Sequence, residues 1–299
     1  MKLLSFRFEG KERFGPKVKK EEAVWDVLAI QQELQVLPSF PNRLIEGLPQ
    51  GMEFVEQIRK LTEAASKSEQ PEQFKLSFSD IEWLAPISRT PKNIICIGKN
   101  YADHAKEMGA DAPVEMVVFT KAPNTIAADE QTVSVHSDVT EAYDYEGELA
   151  VVIGKAGKNI PKQMAYDYVF GYTIANDLTA RDLQSKHQQY FLGKSLEGSC
   201  PMGPYLVTKD EIPQAQNLSI VTKVNDELRQ NGNTENMIRR VDELISEVSK
   251  YVALEPGDVL LTGTPAGVGK GFNPPKFLKA GDTVKVSIES IGTLVTHLS

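Results

Sequence analysis

Two glutamates stand two positions apart at the start of an apolar stretch. Glu146 and Glu148 lie in the segment Asp144-Tyr-Glu-Gly-Glu-Leu-Ala-Val-Val-Ile, and a second apolar stretch, Tyr172-Thr-Ile-Ala-Asn-Asp177, also ends in a carboxylate. Residues i and i+2 of a β-strand point to the same face, so a strand places the two glutamates side by side. An exposed acidic strand end would have the same spacing. Three carboxylates without Cys or His at ligand spacing nevertheless favour a hard divalent cation, Mg²⁺ or Mn²⁺, over zinc.

A histidine and a glutamate have the spacing of a catalytic pair. His104 and Glu107 occur in Lys99-Asn-Tyr-Ala-Asp-His-Ala-Lys-Glu, just after an apolar stretch at 93–97. In a helical turn, residues i and i+3 are neighbours, and a carboxylate beside an imidazole raises its basicity. Such a pair can activate water as a general base, whereas a lone histidine is more often a surface or capping residue.

Lysines and a glycine-rich loop offer sites for an acidic ligand. Lys121 follows the apolar run at 117–120, and Lys194 lies between small residues in Gly193-Lys-Ser. Both are candidates for binding an acidic substrate, although most lysines are solvated surface groups. The N–H groups of Leu261-Thr-Gly-Thr-Pro-Ala-Gly-Val-Gly could hold an anion, but this loop lacks the residues of a nucleotide-binding P-loop.

Composition excludes several classes of protein. The 299 residues include 33 Lys and Arg and 41 Asp and Glu, which gives a net charge of −8. An acidic surface of this kind does not favour nucleic acid or an anionic membrane. The only cysteines are Cys96 and Cys200, too few for a disulfide framework or a CxxC zinc motif. No stretch approaches the ~20 apolar residues of a membrane span, and no signal peptide is recognised, so we expect a cytoplasmic protein.

The sequence pattern divides the chain near residue 90. Residues 1–90 have the pattern of a small α+β domain, with a hairpin around Gly10 and helices at 24–34 and 52–65. Residues 91–299 have the pattern of a β-rich catalytic domain that contains a helix at 238–251. Its expected strands are 93–97, 116–119, 147–153, 169–176, 219–224, 258–262 and 283–288. The overall fold class is therefore α+β and rich in strands.

Turn motifs predict where several of these strands begin. Asn231-Gly232 is a strong hairpin signal, because a type I′ turn needs positive φ at both central residues. The pattern Leu-x-x-Gly-Asp occurs at 254–258 and at 278–282, and each copy is expected to turn the chain into a strand.

Five ordered motifs resemble those of the fumarylacetoacetate hydrolase family, over roughly residues 92–298. They are Gly98-Lys-Asn-Tyr-Ala-Asp-His-Ala, Asp144-Tyr-Glu-Gly-Glu-Leu, Gly171-Tyr-Thr-Ile-Ala-Asn-Asp-Leu-Thr-Ala-Arg-Asp-Leu-Gln, Gly193-Lys-Ser and Leu261-Thr-Gly-Thr-Pro-Ala-Gly-Val-Gly. The resemblance implies the family's mixed β-roll, preceded here by the N-terminal 90 residues, and a homodimer.

The resemblance also implies roles for individual residues. Glu146, Glu148 and Asp177 match the Mg²⁺ or Mn²⁺ ligands of the family, and Lys194 matches its active-site lysine. The remaining matches are a His–Glu pair on a mobile lid, at His104 and Glu107, and substrate-contacting positions at Arg181, Gln184 and Thr264.

These features predict a metal-dependent enzyme that cleaves C–C bonds of small 2-oxo acids. The connection from Gln184 to Lys194 is shorter than in acylpyruvate-cleaving members, which favours oxaloacetate decarboxylation over acylpyruvate hydrolysis. One alternative is an isomerase or decarboxylase of hydroxymuconate-like intermediates, because the same enolate chemistry serves both. Another is an interaction protein that docks a partner through its N-terminal domain, with the helix at 52–65 as the docking element.

Overall fold

The computed structural model describes residues 1–35, 39–109, 111 and 113–299. The strands are β1 (Lys2–Phe8), β2 (Lys11–Pro16), β3 (Ala23–Trp25), β4 (Lys75–Ser77), β5 (Glu82–Leu84), β6 (Ile94–Gly98), β7 (Val117–Lys121), β8 (Ile126–Ala127), β9 (Thr132–Val133), β10 (Tyr143–Asp144), β11 (Gly147–Ile153), β12 (Val169–Asn176), β13 (Thr179–Ala180), β14 (Cys200–Thr208), β15 (Ser219–Val224), β16 (Glu227–Asn233), β17 (Val259–Leu261), β18 (Thr283–Ile288) and β19 (Gly292–Leu298).

Helices connect these strands. The α-helices are α1 (Val27–Leu34), α2 (Leu44–Gly47), α3 (Met52–Ser66), α4 (Ala102–Glu107), α5 (Arg181–Lys186), α6 (Phe191–Lys194) and α7 (Val241–Tyr251). Short 3₁₀ helices lie at Leu48–Gln50, Pro71–Phe74, Phe78–Asp80, Pro123–Thr125, Lys162–Tyr168, Thr234–Asn236 and Gly269–Gly271. Among the described residues, no helix is both long and apolar enough to cross a membrane.

Two large sheets organise the chain, and two short two-stranded sheets, β3-β4 and β10-β13, accompany them. The larger has the strand order β2-β1-β14-β12-β11-β17-β6-β7, with β5 paired to β1 and β8 paired to β14. The smaller has the order β16-β15-β18-β19-β9. The result is the strand-rich mixture of helix and strand expected from the sequence.

The central strand β11 is buried along its whole length because both of its faces are covered. Leu149 and Val151 pack into a hydrophobic cluster with residues of the smaller sheet. Ala150 and Val152 point the other way and pack into a second cluster with α3. A strand that alternates between two apolar layers has an unbroken apolar sequence, which explains the composition of this stretch.

The N-terminal 90 residues extend the larger sheet. Strand β1 pairs with β14 and with β2, which confirms the predicted hairpin around Gly10. Phe54, Ile58 and Leu61 share the buried face of α3, as their spacing predicts, and this face lies in the same cluster as β11. The apolar face of α3 is therefore occupied by the core. The predicted domain boundary near residue 90 falls between β5 and β6.

The predicted positions of the main strands are largely confirmed. Strands β11, β12, β15 and β18 have the predicted bounds, while β6, β7 and β17 differ from the prediction by one or two residues at their ends. Helix α1 begins at Val27, later than predicted, because Asp26 accepts hydrogen bonds from Leu28 N and Ala29 N and caps it. Helix α7 likewise begins later, at Val241, where Glu243 accepts from the N–H of Arg240.

The predicted hairpin turn at Asn231-Gly232 is wrong. Both residues lie inside β16, where they pair with Val221 and Ile220 of β15. The turn falls earlier, at Asn225 and Asp226, whose φ angles are 49° and 65°. Side chains of Asn and Asp tolerate the left-handed conformation, which explains why this pair makes the turn.

Packing explains why a glycine occupies position 232. A Cβ atom there would lie 2.5 Å from the Cβ of Pro265, so only a glycine lets the glycine-rich loop approach β16. Both Leu-x-x-Gly-Asp segments turn into strands as predicted, with φ of +90° at Gly257 and +89° at Gly281.

Candidate active site and metal centre

The carboxylates of Glu146, Glu148 and Asp177 meet where two central strands pair. In the antiparallel register of β11 and β12, Glu148 is opposite Ala175, and Asp177 follows directly after β12. The N–H of Asp177 donates to the carbonyl oxygen of Glu146 at 2.8 Å, which fixes this corner. All three residues are buried, and one oxygen from each lies within 4.8 Å of the other two. The side chains thus form one cluster, which we name the carboxylate triad.

Buried cations contact two members of the carboxylate triad. The ammonium of Lys194 lies 2.8 Å from Glu146 Oε2 and 2.7 Å from Asp177 Oδ2. Arg181 Nη1 lies 2.6 Å from Glu146 Oε1. On the other side, Lys121 Nζ lies 2.8 Å from Asp177 Oδ1. The salt bridges of the described residues therefore reach Glu146 and Asp177 but not Glu148.

These ion pairs keep Glu146 and Lys194 charged. Burial by itself raises the pKa of Glu146, but Lys194 and Arg181 outweigh it and hold the pKa below the usual range. Burial by itself lowers the pKa of Lys194, whereas Asp177 and Glu146 raise it above the usual range. Both groups are thus fixed charges at neutral pH.

Glu148 has the opposite electrostatic environment. Burial raises its pKa well above the usual range, and the negative charges of Asp177 and Glu146 raise it further. Its Oε2 accepts a hydrogen bond from Gly263 N at 2.6 Å, which only partly offsets these effects. A proton at Glu148 is therefore the expected neutraliser of the triad when no cation is bound.

The carboxylate triad fits a divalent cation. All of its ligand atoms are carboxylate oxygens, which suit Mg²⁺ or Mn²⁺ and are poor ligands for selecting zinc. Asp177 Oδ1, although close to Lys121 Nζ, has no hydrogen-bond partner, so a lone pair remains for a ligand. A divalent cation can replace the proton at Glu148 and give this side chain the positively charged partner that it otherwise lacks.

Asp144 connects Arg181 to the glycine-rich loop. Its Oδ2 accepts from Arg181 Nε at 2.8 Å and from Lys270 N at 3.0 Å, and its Oδ1 accepts from Gly269 N at 2.7 Å. Arg181 begins α5, where its Nη1 also donates to Gln184 Oε1 at 3.2 Å. Asp144 was not among the site residues predicted from the sequence. Its position two residues before Glu146 was the available signal.

The glycine-rich loop also contacts β11, the strand that carries Glu148. Thr264 donates through Oγ1 to the carbonyl of Gly147 at 2.8 Å and accepts from Gln230 Nε2 at 2.7 Å. Gly263 has a φ of +94°, and a Cβ there would lie 2.9 Å from the Cβ of Asn100. Only a glycine therefore brings this loop close enough to bond Glu148.

Helix α4 carries the predicted His–Glu pair. His104 Nδ1 lies 3.4 Å from Glu107 Oε2, so the two side chains share a face as the i, i+3 spacing predicts. Glu107 Oε1 accepts from Gly267 N at 2.9 Å, which attaches this helix to the glycine-rich loop. His104 is buried and lines the cavity beside the triad.

A cavity of about 230 Å³ opens at this place. The side chains of Phe119 and Tyr190 form part of its wall, where their rings pack edge to face with their centroids 5.5 Å apart. The cavity is lined by Ile97, Gly98, Lys99, His104, Met108, Phe119, Glu146, Glu148, Arg181, Gln184, Ser185, Tyr190, Lys194, Thr264 and Lys270. Most of the site residues expected from the sequence are thus brought together here.

Lys121 has a different environment from the one expected of a substrate-binding residue. Its side chain is fully buried and does not line the cavity. Its ammonium contacts Asp177 and donates to the carbonyl of Leu178 at 3.0 Å. The lining residues that were not among the predicted site residues include Lys99, which lies inside the motif around His104, and Lys270, which directly follows the motif around Thr264.

The strand-rich fold and the buried triad of carboxylates are those of a class of metal-dependent enzymes. Residues 93–299 match the family model described as fumarylacetoacetate (FAA) hydrolase C-terminal. The chain therefore belongs to the fumarylacetoacetate hydrolase family.

Solved structures of known proteins resemble the chain over different lengths. A fumarylacetoacetate hydrolase of Exiguobacterium antarcticum is 40% identical, with a TM-score of 0.84, over 100% of this chain and 99% of its own. A 2-hydroxyhepta-2,4-diene-1,7-dioate isomerase of Mycobacterium marinum is 27% identical, with a TM-score of 0.74, over 100% and 98%. A fumarylpyruvate hydrolase of Pseudomonas aeruginosa, in complex with Mn²⁺ and pyruvate, is 32% identical, with a TM-score of 0.63, over 69% and 89%.

Proposed function

We propose that this protein is a divalent-metal-dependent enzyme that cleaves a C–C bond in small 2-oxo acids, with oxaloacetate decarboxylation as its main reaction and acylpyruvate hydrolysis as a second reaction of the same site. The observation that carries the proposal is the buried carboxylate triad beside Lys194 and Arg181 in one cavity. The Mn²⁺ and pyruvate in the related fumarylpyruvate hydrolase support it.

The charges around the cavity suit a 2-oxo acid. When bound at the triad, a divalent cation supplies positive charge where the keto oxygen of the substrate becomes an enolate oxygen. Arg181 Nη2 is buried and has no hydrogen-bond partner among the described residues, so it can donate to the substrate's carboxylate. Lys194 holds Glu146 and Asp177 in place and adds a fixed positive charge beside the developing enolate.

Decarboxylation needs little more from the protein. The C3–C4 bond of oxaloacetate breaks, the C4 carboxylate leaves as CO₂, and the electron pair forms the enolate of pyruvate. A proton from water then adds to C3 and completes pyruvate. The positive charges beside the triad, Lys194 and the divalent cation that the triad would hold, stabilise the enolate more than the ground state, and this difference is what accelerates the reaction.

Acylpyruvate hydrolysis needs a base in addition. Water attacks the distal carbonyl, the C–C bond breaks, and the enolate of pyruvate again leaves. In the proposed reaction His104, paired with Glu107, takes the proton from this water. A cavity of about 230 Å³ is below the range of about 300–1,000 Å³ typical of drug-sized ligands, which favours small acids in both reactions.

Isomerisation or decarboxylation of hydroxymuconate-like acids is the second candidate. The observation in its favour is the likeness to the Mycobacterium marinum isomerase, which extends over the N-terminal 90 residues as well. The same enolate chemistry serves this reaction. Activity on the muconate-like acid and none on oxaloacetate or acylpyruvates would replace our first choice.

A binding role for the N-terminal residues has less support, because the apolar face of α3 is buried in the core. Removal of residues 1–90 is therefore expected to abolish folding. A soluble and active remainder would instead point to a separate binding role. The homodimer implied by the resemblance remains a prediction, which sedimentation of the purified protein would test.

The proposed reaction is tested by following oxaloacetate loss with purified protein and Mn²⁺. Because free Mn²⁺ itself promotes this decarboxylation, a metal-only blank is subtracted, and the assay is repeated with chelator. Turnover above the blank that disappears with chelator is the expected result. Absence of any excess over the blank would exclude oxaloacetate and leave acylpyruvates and muconate-like acids as the substrates to test.

A further inference from the structure

Two lysines of the cavity have no ionic partner. Lys99 and Lys270 both line it, and neither ammonium forms a salt bridge or a hydrogen bond within the described residues. The other cationic side chains at the triad differ in this respect, since Lys194 and Arg181 are bound to carboxylates. An unpaired lysine at the wall of an otherwise balanced cavity is available for an anionic ligand.

The backbone of Lys270 is fixed relative to the triad. Its N–H donates to Asp144, which also binds Arg181, and Arg181 in turn contacts Glu146. A chain of short hydrogen bonds and ion pairs therefore holds the main chain of Lys270 beside the carboxylate triad, and its exposed side chain starts from this fixed point at the cavity wall. Preorganisation of this kind lowers the entropy that a ligand loses on binding.

The backbone of Lys99 is held in an unfavourable conformation. Its φ of +54° lies in the left-handed region that a residue with a Cβ seldom adopts. The next residue, Asn100, fixes it, because Asn100 Nδ2 donates to the carbonyls of Thr262 and Arg239 at 2.8 and 3.0 Å. Strain that is maintained by surrounding bonds is often found where a side chain has a function.

The rest of the cavity wall is partly apolar. Phe119, Tyr190 and Met108 contribute apolar surface to the same cavity. A substrate with one carboxylate uses the triad end and Arg181, and then leaves the two lysines without a partner. A substrate with a second carboxylate at its far end gives them one.

We propose that Lys99 and Lys270 form a subsite for the distal carboxylate of a dicarboxylic 2-oxo acid. This lysine pair then selects diacids over monoacids of the same length. The inference rests on the proposed function, because the 2-oxo end of the substrate must lie at the triad for its far end to face the lysine pair.

The test compares two non-reacting ligands that differ in the distal group alone. N-oxalylglycine and N-ethyloxamate share the same chelating end, but the first ends in a carboxylate where the second ends in a methyl group. Their affinities for the Mn²⁺-loaded protein are measured by calorimetry. The proteins are wild type, Lys99→Met, Lys270→Met and the double variant, with thermal unfolding as a check on folding.

A matched control has the same change of charge outside the cavity. Lys276 lies near Lys270 in the chain, is bound to Glu227 at 2.6 Å, and does not line the cavity. Lys276→Met is therefore expected to leave both affinities unchanged.

Because Lys99 is half-buried and Lys270 is exposed, each single variant is expected to weaken the binding of N-oxalylglycine about threefold, and the double variant about tenfold. N-ethyloxamate is expected to bind all variants within about twofold. Equal losses for both ligands, or equal affinities of wild type for both, would overturn the subsite and leave the proposed function intact. If neither ligand binds the Mn²⁺-loaded protein, the metal-centred site itself fails and the subsite fails with it.

Discussion

The main-chain N–H of Gly263 donates to Glu148 Oε2 at 2.6 Å, and it links the glycine-rich loop directly to the carboxylate triad. Gly263 can take this place because its φ of +94° and its contact with Asn100 exclude a side chain. One hydrogen bond is too little to compensate a buried carboxylate flanked by two others. Glu148 is consequently the member of the triad whose charge depends most on a bound cation.

Glu148→Gln should weaken metal binding without unfolding the protein. The amide keeps the size of the side chain and the acceptor for Gly263. It removes the negative charge to which Mn²⁺ is expected to bind in place of a proton. We expect the dissociation constant for Mn²⁺ to rise at least about tenfold and metal-dependent activity to disappear. Calorimetric titration with Mn²⁺ measures the first effect, and an affinity equal to that of wild type would contradict the ligand assignment.

The same substitution should change how metal-free stability depends on pH. Because the folded-state pKa of Glu148 is raised, its stabilising contribution is present below the unfolded pKa and is lost as pH rises through the folded value. Metal-free wild type should therefore lose stability as pH rises from about 4.5 towards neutrality, and Glu148→Gln should lose less. Urea unfolding across this range in the presence of chelator measures the difference. Identical pH profiles would show that Glu148 does not titrate in this way.

Lys121 contacts Asp177 of the carboxylate triad from the side away from the cavity, and Lys121→Met should reveal what this contact contributes. The substitution leaves the buried Asp177 with less compensating charge, which is expected to destabilise the metal-free protein by about 3 kcal/mol. Added Mn²⁺ should recover part of the loss, because a cation then balances the same carboxylate. Thermal unfolding with and without Mn²⁺ measures both effects.

An exposed lysine provides the control for that experiment. Lys285 pairs with Asp226 at the surface, and Lys285→Met should change stability by less than about 0.5 kcal/mol. If Lys121→Met behaves like this control, the buried pair contributes nothing to the triad. If it raises KM alone and leaves stability unchanged, Lys121 acts on the substrate, as first expected from the sequence.

Local pattern was sufficient for most of the fold and for the triad. Strand spacing predicted that Glu146 and Glu148 lie close together, although Glu146 lies just before β11 and not inside it, and an apolar stretch ending in Asp177 predicted the third carboxylate. These features depend only on the two-residue period of a strand. The pairing of β11 with β12 then brings the three together, and this register is a property of the whole sheet.

Features that depend on distant contacts escaped the sequence pattern. Gly232 resembles a turn residue, but its role is to admit Pro265, which lies far along the chain. Lys121 resembles a ligand-binding lysine, but at the end of β7 it is buried against Asp177 and does not line the cavity. The part played by Asp144 was hidden for the same reason, because its partner Lys270 is brought to it by the glycine-rich loop.

His104→Ala should separate the two reactions of the proposed function. Hydrolysis of an acylpyruvate needs a base for water, and loss of a general base typically costs about 10²–10⁴-fold in rate. Decarboxylation of oxaloacetate needs no such base, so we expect a loss of less than about tenfold. Steady-state kinetics with both substrates on one preparation measure the ratio, and equal losses would contradict this division of roles.

Asp129 gives a pH dependence that is independent of the metal centre. Burial raises the pKa of its carboxyl to about 6, although Oδ1 accepts a hydrogen bond from Val295 N at 2.7 Å. Its stabilising contribution is therefore present below the unfolded pKa of 3.8 and is lost as pH rises through about 6. Asp129→Asn keeps an acceptor for Val295 and removes the charge. We expect it to stabilise the protein by about 2 kcal/mol near pH 8 and by little near pH 4.

Urea unfolding of wild type and Asp129→Asn at the two pH values measures this effect, and the surface residue Glu72 supplies the control. Glu72 is exposed and pairs with Lys75 at 2.8 Å, so Glu72→Gln removes a charge of the same sign away from Asp129. Its effect should stay below about 1 kcal/mol at both values. A gain for Asp129→Asn that is the same at both pH values would mean that the amide packs better than the carboxylate, and burial of charge at Asp129 would then be rejected as the cause.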